Sequence, residues 1–116
     1  MGNSAYTFGA TNGPTYARRS IADTDVTVDP TDYAINFTSI SASRTVTLPT
    51  PVSTGATSSK YLPFLIKDES GSVSGGKVIN VVVSGGSTID GATSKQISNA
   101  YGSIRVYTDG VKYYSS

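Results

Sequence analysis

The chain has 116 residues, a net charge of +1 and only 15% charged side chains, which suits one domain with one modest core. It contains no His, no Cys and a single Glu, Glu69, which excludes imidazole acid–base chemistry, thiol chemistry and disulfide staples. Near-neutrality gives no electrostatic reason to expect nucleic acid or an anionic membrane as partner, and no apolar run approaches the roughly 20 residues that span a bilayer.

Eighteen Ser and fifteen Thr describe a polar, weakly charged surface whose hydroxyls bond nearby backbone, and Thr also suits a pleated sheet. The first residues lack the basic and apolar regions of a secretion signal, so synthesis in a cytoplasm is expected.

In chain order, residues 1–22 are read as an extended N-terminal arm. They mix Gly, Asn, Pro and Ala with the isolated aromatics Tyr6, Phe8 and Tyr16 and the pair Arg18-Arg19, with neither helical nor strand period. Residues 23–116 form the domain. Val26 and Val28 flank Thr27; Tyr33, Ile35 and Phe37 alternate with Ala34 and Asn36; Val46 and Leu48 alternate with Thr45 and Thr47 before Pro49. These are period-2 strands. Phe64-Leu65-Ile66 and Val81-Val82-Val83 are continuous apolar runs, as in strands covered on both faces. Gly75-Gly76, Gly85-Gly86 and Asp90-Gly91 punctuate this half of the chain as turns.

The last hairpin predicts its own register. With Asp109-Gly110 as a two-residue type I′ turn, Thr108 faces Val111 and Val106 faces Tyr113. Ile104, Val106, Val111 and Tyr113 then share one face, while Arg105 and Tyr114 meet on the other as a cation–π pair. Eight or nine short strands at this spacing predict an all-β, antiparallel β-sandwich of jelly-roll type. An Ig-like sandwich is the alternative, without that fold's buried Trp and paired Cys.

Chemistry-bearing constellations are weak. Asp23, Asp25, Asp29 and Asp32 lack the glycine of a calcium loop and have strand-like spacing, so no metal is expected. Asp68 and Glu69 are adjacent, hence on opposite faces of a strand, and read as a solvated turn rather than a glycosidase pair. No Ser–Lys spacing supports a nucleophile. The chain is expected to be neither an enzyme nor a cofactor binder.

Taken together, TVTLP, FLIKDESG, VINVVVSGGSTIDGA, QISNAYGSIRVYTDG and KYY resemble the β-domain of tailed-bacteriophage virion proteins, found in head decoration (cement) proteins, head fibres and tail-fibre or baseplate tips. The resemblance runs from about Val26 to Tyr114. It implies a trimeric structural protein of the virion, made in the host bacterial cytoplasm, with Gly71 and Gly91 at turns requiring positive φ.

Within that family the short chain, without heptads or a repeat to build a shaft, favours a capsid decoration protein. Its partners would be the major capsid protein and its own copies, with no nucleic acid and no membrane. Tyr6, Phe8, Tyr16, Arg18 and Arg19 are the candidate partner-binding residues, as a strand added to a neighbouring sheet edge. Arg105, Tyr107 and Tyr114 are candidates for a trimer surface. Under the alternative, a tail-fibre or baseplate module, they are candidates for a host-glycan surface.

Overall fold

The protein was analysed as a computed structural model that describes residues 18–51 and 63–116. Tyr6, Phe8, Tyr16 and most of the expected arm lie outside the described residues. Among the described residues the strands are β1 (Arg18–Ala22), β2 (Val26–Thr27), β3 (Ala34–Ser39), β4 (Arg44–Leu48), β5 (Phe64–Asp68), β6 (Ile79–Val83), β7 (Ser94–Ile97), β8 (Ser103–Thr108) and β9 (Tyr113–Ser115), with a 3-10 turn at Ser84–Gly86. The fold is all-β. β1 begins at Arg18, inside the segment read as arm, because Arg18–Ile21 pair with Ala34–Phe37 of β3.

Two mixed sheets result, with strand orders β1-β3-β5-β8-β9 and β2-β4-β6-β7. The antiparallel expectation fails for the first six strands. β1, β3 and β5 pair in parallel, as do β2, β4 and β6. Successive strands from β1 to β6 alternate between the two sheets, and each returns beside its predecessor in the same sheet and in the same direction. The intervening strand thus serves as the crossover that parallel pairing requires. A jelly roll is built from antiparallel strands, and here antiparallel pairing is confined to β5–β8, β6–β7 and β8–β9.

The winding stacks like on like. Val26, Val46 and Val81 share a register row, Thr27 aligns with Thr47, and Ile35, Ile66 and Ile104 form a second row. Val28 N–H donates to the Thr47 carbonyl at 2.8 Å. Val26-Thr27-Val28 and Val46-Thr47-Leu48 are therefore successive turns of one coil, a weak repeat that composition hides.

Both sheets feed one apolar core, which includes Ile21, Ile35, Phe37, Ile66 and Val106 from the first and Val46, Leu48, Ile79 and Val81 from the second. Each fully buried aliphatic contributes about 1.5–3 kcal/mol. The run at β5 buries Phe64, Ile66 and Asp68 while Leu65 and Lys67 stay half-buried, so the alternation of a sheet with one covered face persists beneath a continuous apolar text.

The type I′ turn lies at Asp90-Gly91, with φ of 52° and 80°, where Ile89 and Ala92 exchange both backbone bonds at 2.8 and 2.9 Å. At the last hairpin, Thr108 pairs with Tyr113 and Tyr107 with Tyr114, two residues off the expected register. Gly110 has φ 96° but Asp109 is not in the left-handed region. Instead the Asp109 carboxylate accepts the N–H groups of Val111 and Lys112 at 2.8 and 3.0 Å, capping a four-residue loop. A two-residue slip preserves the faces: Val106 and Tyr113 stay buried, whereas Val111 moves into the loop and is exposed. Tyr113 donates its hydroxyl to the Pro49 carbonyl at 2.9 Å, and burial pushes its pKa up to about 12.

Candidate partner-binding surface

β1 is the outermost described strand of the five-stranded sheet, with Arg18, Arg19 and Ser20 exposed. Residues 1–17 lead straight into it. Both arginines engage their own chain. Arg18 forks onto Glu69 at 2.7 and 2.6 Å, and Arg19 donates to Asp32 at 2.9 Å. The Arg18 fork holds the Glu69 carboxyl below the usual carboxylate range and raises the guanidinium in return. Between them lies Asn36, only 3% exposed. Its amide, oriented to fit, accepts from Arg18 at 3.1 Å and donates to Glu69 at 3.2 Å. The bridge ties the edge strand to β3 and to the end of β5.

The second candidate group sits on the outer face of β8 and β9. The rings of Tyr107 and Tyr114 meet at 5.7 Å with planes tilted by 34°, in place of the expected Arg105–Tyr114 contact, because Tyr107 is the residue in register with Tyr114. The Tyr114 hydroxyl donates to Asp109 at 3.1 Å, which raises its pKa. Arg105 is exposed and has no ion-pair partner among the described residues. The surface here is an aromatic pair beside a cation.

The four aspartates between β1 and β3 serve as loop fasteners. Asp23 accepts from Ser41 N at 2.8 Å and from Arg44 at 2.9 and 3.0 Å; Ser41, through side chain and backbone, and then Arg44 pull its pKa down to about 2. Asp25 accepts from Thr45 N at 2.9 Å. Asp29 is held low by the backbone and hydroxyl of Thr31. Asp32 takes Arg19 and the N–H of Asp29 at 2.8 Å. No group of three metal-ligating side chains occurs among the described residues.

Asp68 departs most from the sequence reading. It is fully buried, not solvated. Its Oδ1 accepts from Ser70 Oγ at 2.5 Å, Ser70 N at 3.1 Å and Gly71 N at 3.2 Å, and its Oδ2 from Val73 N at 3.1 Å and Tyr101 N at 3.2 Å. Burial drives its pKa upward, but the bonds from Ser70, Val73, Tyr101 and Gly71 outweigh that and hold it low. One carboxylate thereby locks the loop after β5 to the loop before β8. The Asp-x-Ser-Gly text was a legible Asx-turn signal; its reach to Tyr101 was not.

No family model, no curated protein and no solved structure matches this chain. Function therefore rests on the surface itself.

Proposed function

We propose that the protein is a structural component of a bacteriophage virion, a capsid decoration protein that binds and reinforces the head shell. In this reading the two sheets around one core form a compact sandwich, residues 1–17 form the arm, and copies associate as a homotrimer over the major capsid protein on the capsid surface. The observation that carries it is the coincidence of chain entry and sheet edge. A segment bearing Tyr6, Phe8 and Tyr16 runs directly into β1, the outermost described strand, where a strand from or toward a neighbour adds by main-chain bonds. Stabilisation comes from buried interface acting by mass action on the assembled shell, with no chemical step.

A second reading is supported by two observations. The Tyr107–Tyr114 ring pair offers an amphipathic aromatic surface of the kind that recognises sugars. The parallel winding of six strands also removes the argument that this chain has no fibre-like repeat. Together they favour a tail-fibre or baseplate module recognising host glycan. Quantitative mass spectrometry of purified virions separates the two. A copy number comparable with the major capsid protein supports decoration; a number on the scale of tail components overturns it. The companion test deletes residues 1–17 and leaves β1 intact. It should abolish shell binding while the domain stays folded, and full occupancy by the truncated protein would refute the arm.

A further inference from the structure

Tyr101 stands in the left-handed region at φ 60°, which bulky residues seldom adopt. Ring burial does not explain it, since Tyr101 is 60% exposed. A glycine or asparagine would make the same turn with less strain. The backbone is nonetheless held firmly: its N–H goes to buried Asp68 at 3.2 Å, and its carbonyl accepts from Lys67 Nζ. The phenol end of the ring occupies the place of a side chain on Gly71, whose Cβ would lie 2.3 Å from Tyr101 Cζ. An aromatic ring is therefore set in one position with most of its surface open, which lowers the entropic cost of stacking a ligand on it.

The surroundings select the ligand class. Gly71 is followed by Ser72, and the loop that leads to Tyr101 carries Ser98, Asn99 and Ala100, with Ser103 opening β8 beyond Gly102, all half-buried or exposed. The Ser70 hydroxyl is taken up by Asp68 and Ser72 N. The adjacent charges are engaged within the chain, Lys67 by the Tyr101 carbonyl and Glu69 by the Arg18 fork. Tyr107 and Val111, the other large exposed apolar side chains among the described residues, lie toward the far end of β8, roughly 20 Å away at strand rise. A lone apolar plate in a neutral rim of hydroxyls and an amide is too small for a protein hot spot. It matches a pyranose, which presents C–H groups on one face and hydroxyls around its edge.

We propose that Tyr101, seated on Gly71 by the buried Asp68, is a binding site for a neutral saccharide, distinct from the Tyr107–Tyr114 surface. The inference holds for a protein on the shell or on the tail. Many weak copies on one particle gain through avidity.

The test is an amide-shift titration of the isotope-labelled full chain with methyl β-D-glucopyranoside and methyl β-D-galactopyranoside, with mannitol as an acyclic polyol control. Concentrations should reach roughly 50 mM, because one stacked ring gives only millimolar affinity. Saturable shifts at Gly71, Tyr101 and Asn99 with at least one glycoside, and not with mannitol, are expected. Tyr101→Gly, which suits the backbone, should keep the dispersed spectrum and weaken binding by about tenfold or more, whereas Tyr101→Phe should stay within about threefold. The proposal is overturned by an absence of saturable shifts with both glycosides, by equal shifts with mannitol, by binding that survives Tyr101→Gly, or by shifts confined to Tyr107 and Tyr114. None of these outcomes bears on virion copy number, so the two ideas fail separately.

Discussion

Replacing Asp68 by Ala tests whether one buried carboxylate holds two loops together. The substitution removes the acceptor for five hydrogen bonds from Ser70, Gly71, Val73 and Tyr101. Bonds to a charged group contribute about 1.5–3 kcal/mol each, but they are not additive and several released donors can turn to water. Val73 N is buried and cannot. Deleting the acceptor at the centre of the network leaves N–H groups unpaired, at about 1–3 kcal/mol for each that water cannot reach, so a loss of about 3 kcal/mol is expected. That is a large share of the roughly 5–15 kcal/mol that holds a domain folded.

Urea unfolding at fixed protein concentration is the assay. With a slope of about 1–3 kcal/mol per molar urea, the midpoint should fall by roughly 1 M or more. Asp68→Asn retains one acceptor oxygen but turns an NH2 donor toward backbone N–H groups, so it should also destabilise, by an amount comparable with Ala. A midpoint for Asp68→Ala equal to that of the unmodified protein would refute the reasoning, and so would an Asn variant as stable as the unmodified protein.

Acid should unfold the protein progressively. Asp23, Asp29, Asp68, Glu69, Asp90 and Asp109 all have folded pKa values below their ordinary ones, so their stabilisation is fully present above the unfolded values of about 4 and is lost as pH falls through the folded ones. Melting temperature followed from pH 7 to pH 2 (~5 units spanning those values) should be level at first and then drop; a level profile throughout would contradict the carboxylate contacts. Gly71→Ala should cost about 1–2 kcal/mol from its φ of 72° and should also displace the Tyr101 ring. Calorimetry of Gly71→Ala with and without Tyr101→Gly reads this as a smaller cost in the double variant, and equal costs would show that the ring does not seat there. Tyr113→Phe removes the hydroxyl bond to the Pro49 carbonyl and should cost about 1 kcal/mol. Ultraviolet titration should lose a phenolate step near pH 12 in that variant. In the unmodified protein, stability should decline above about pH 10, because the unfolded phenol ionises first.

What proved legible in the sequence was local. Alternation in Ile35-Asn36-Phe37 and Val46-Thr47-Leu48 marked strands and their inward residues, because side chains on a strand alternate by geometry. Gly71 and Gly91 read as positive-φ turns and have φ of 72° and 80°. The inward placing of Val106 and Tyr113 survived even though the register moved by two and Val111 left the sheet for the loop. Choosing Asp109-Gly110 as the tight turn failed because Asp-Gly permits a type I′ turn without enforcing it. The carboxylate of Asp109 found two backbone donors and made a wider loop instead.

The sequence by itself therefore determined an all-β chain, many of its strand positions (β1 and β7 excepted), most of its inward residues and several of its turns, all of which arise from interactions within a few residues. Tertiary structure alone decided which sheet each strand joins, the parallel winding of β1 to β6, the capture of Arg18 by Glu69 and the burial of Asp68 against Tyr101. Period-2 patterning says which way a side chain faces but not which strand lies beside it. Those partners stand 51 residues apart in the Arg18–Glu69 bridge and 33 apart at Asp68–Tyr101, and only closure of the whole coil brings them together.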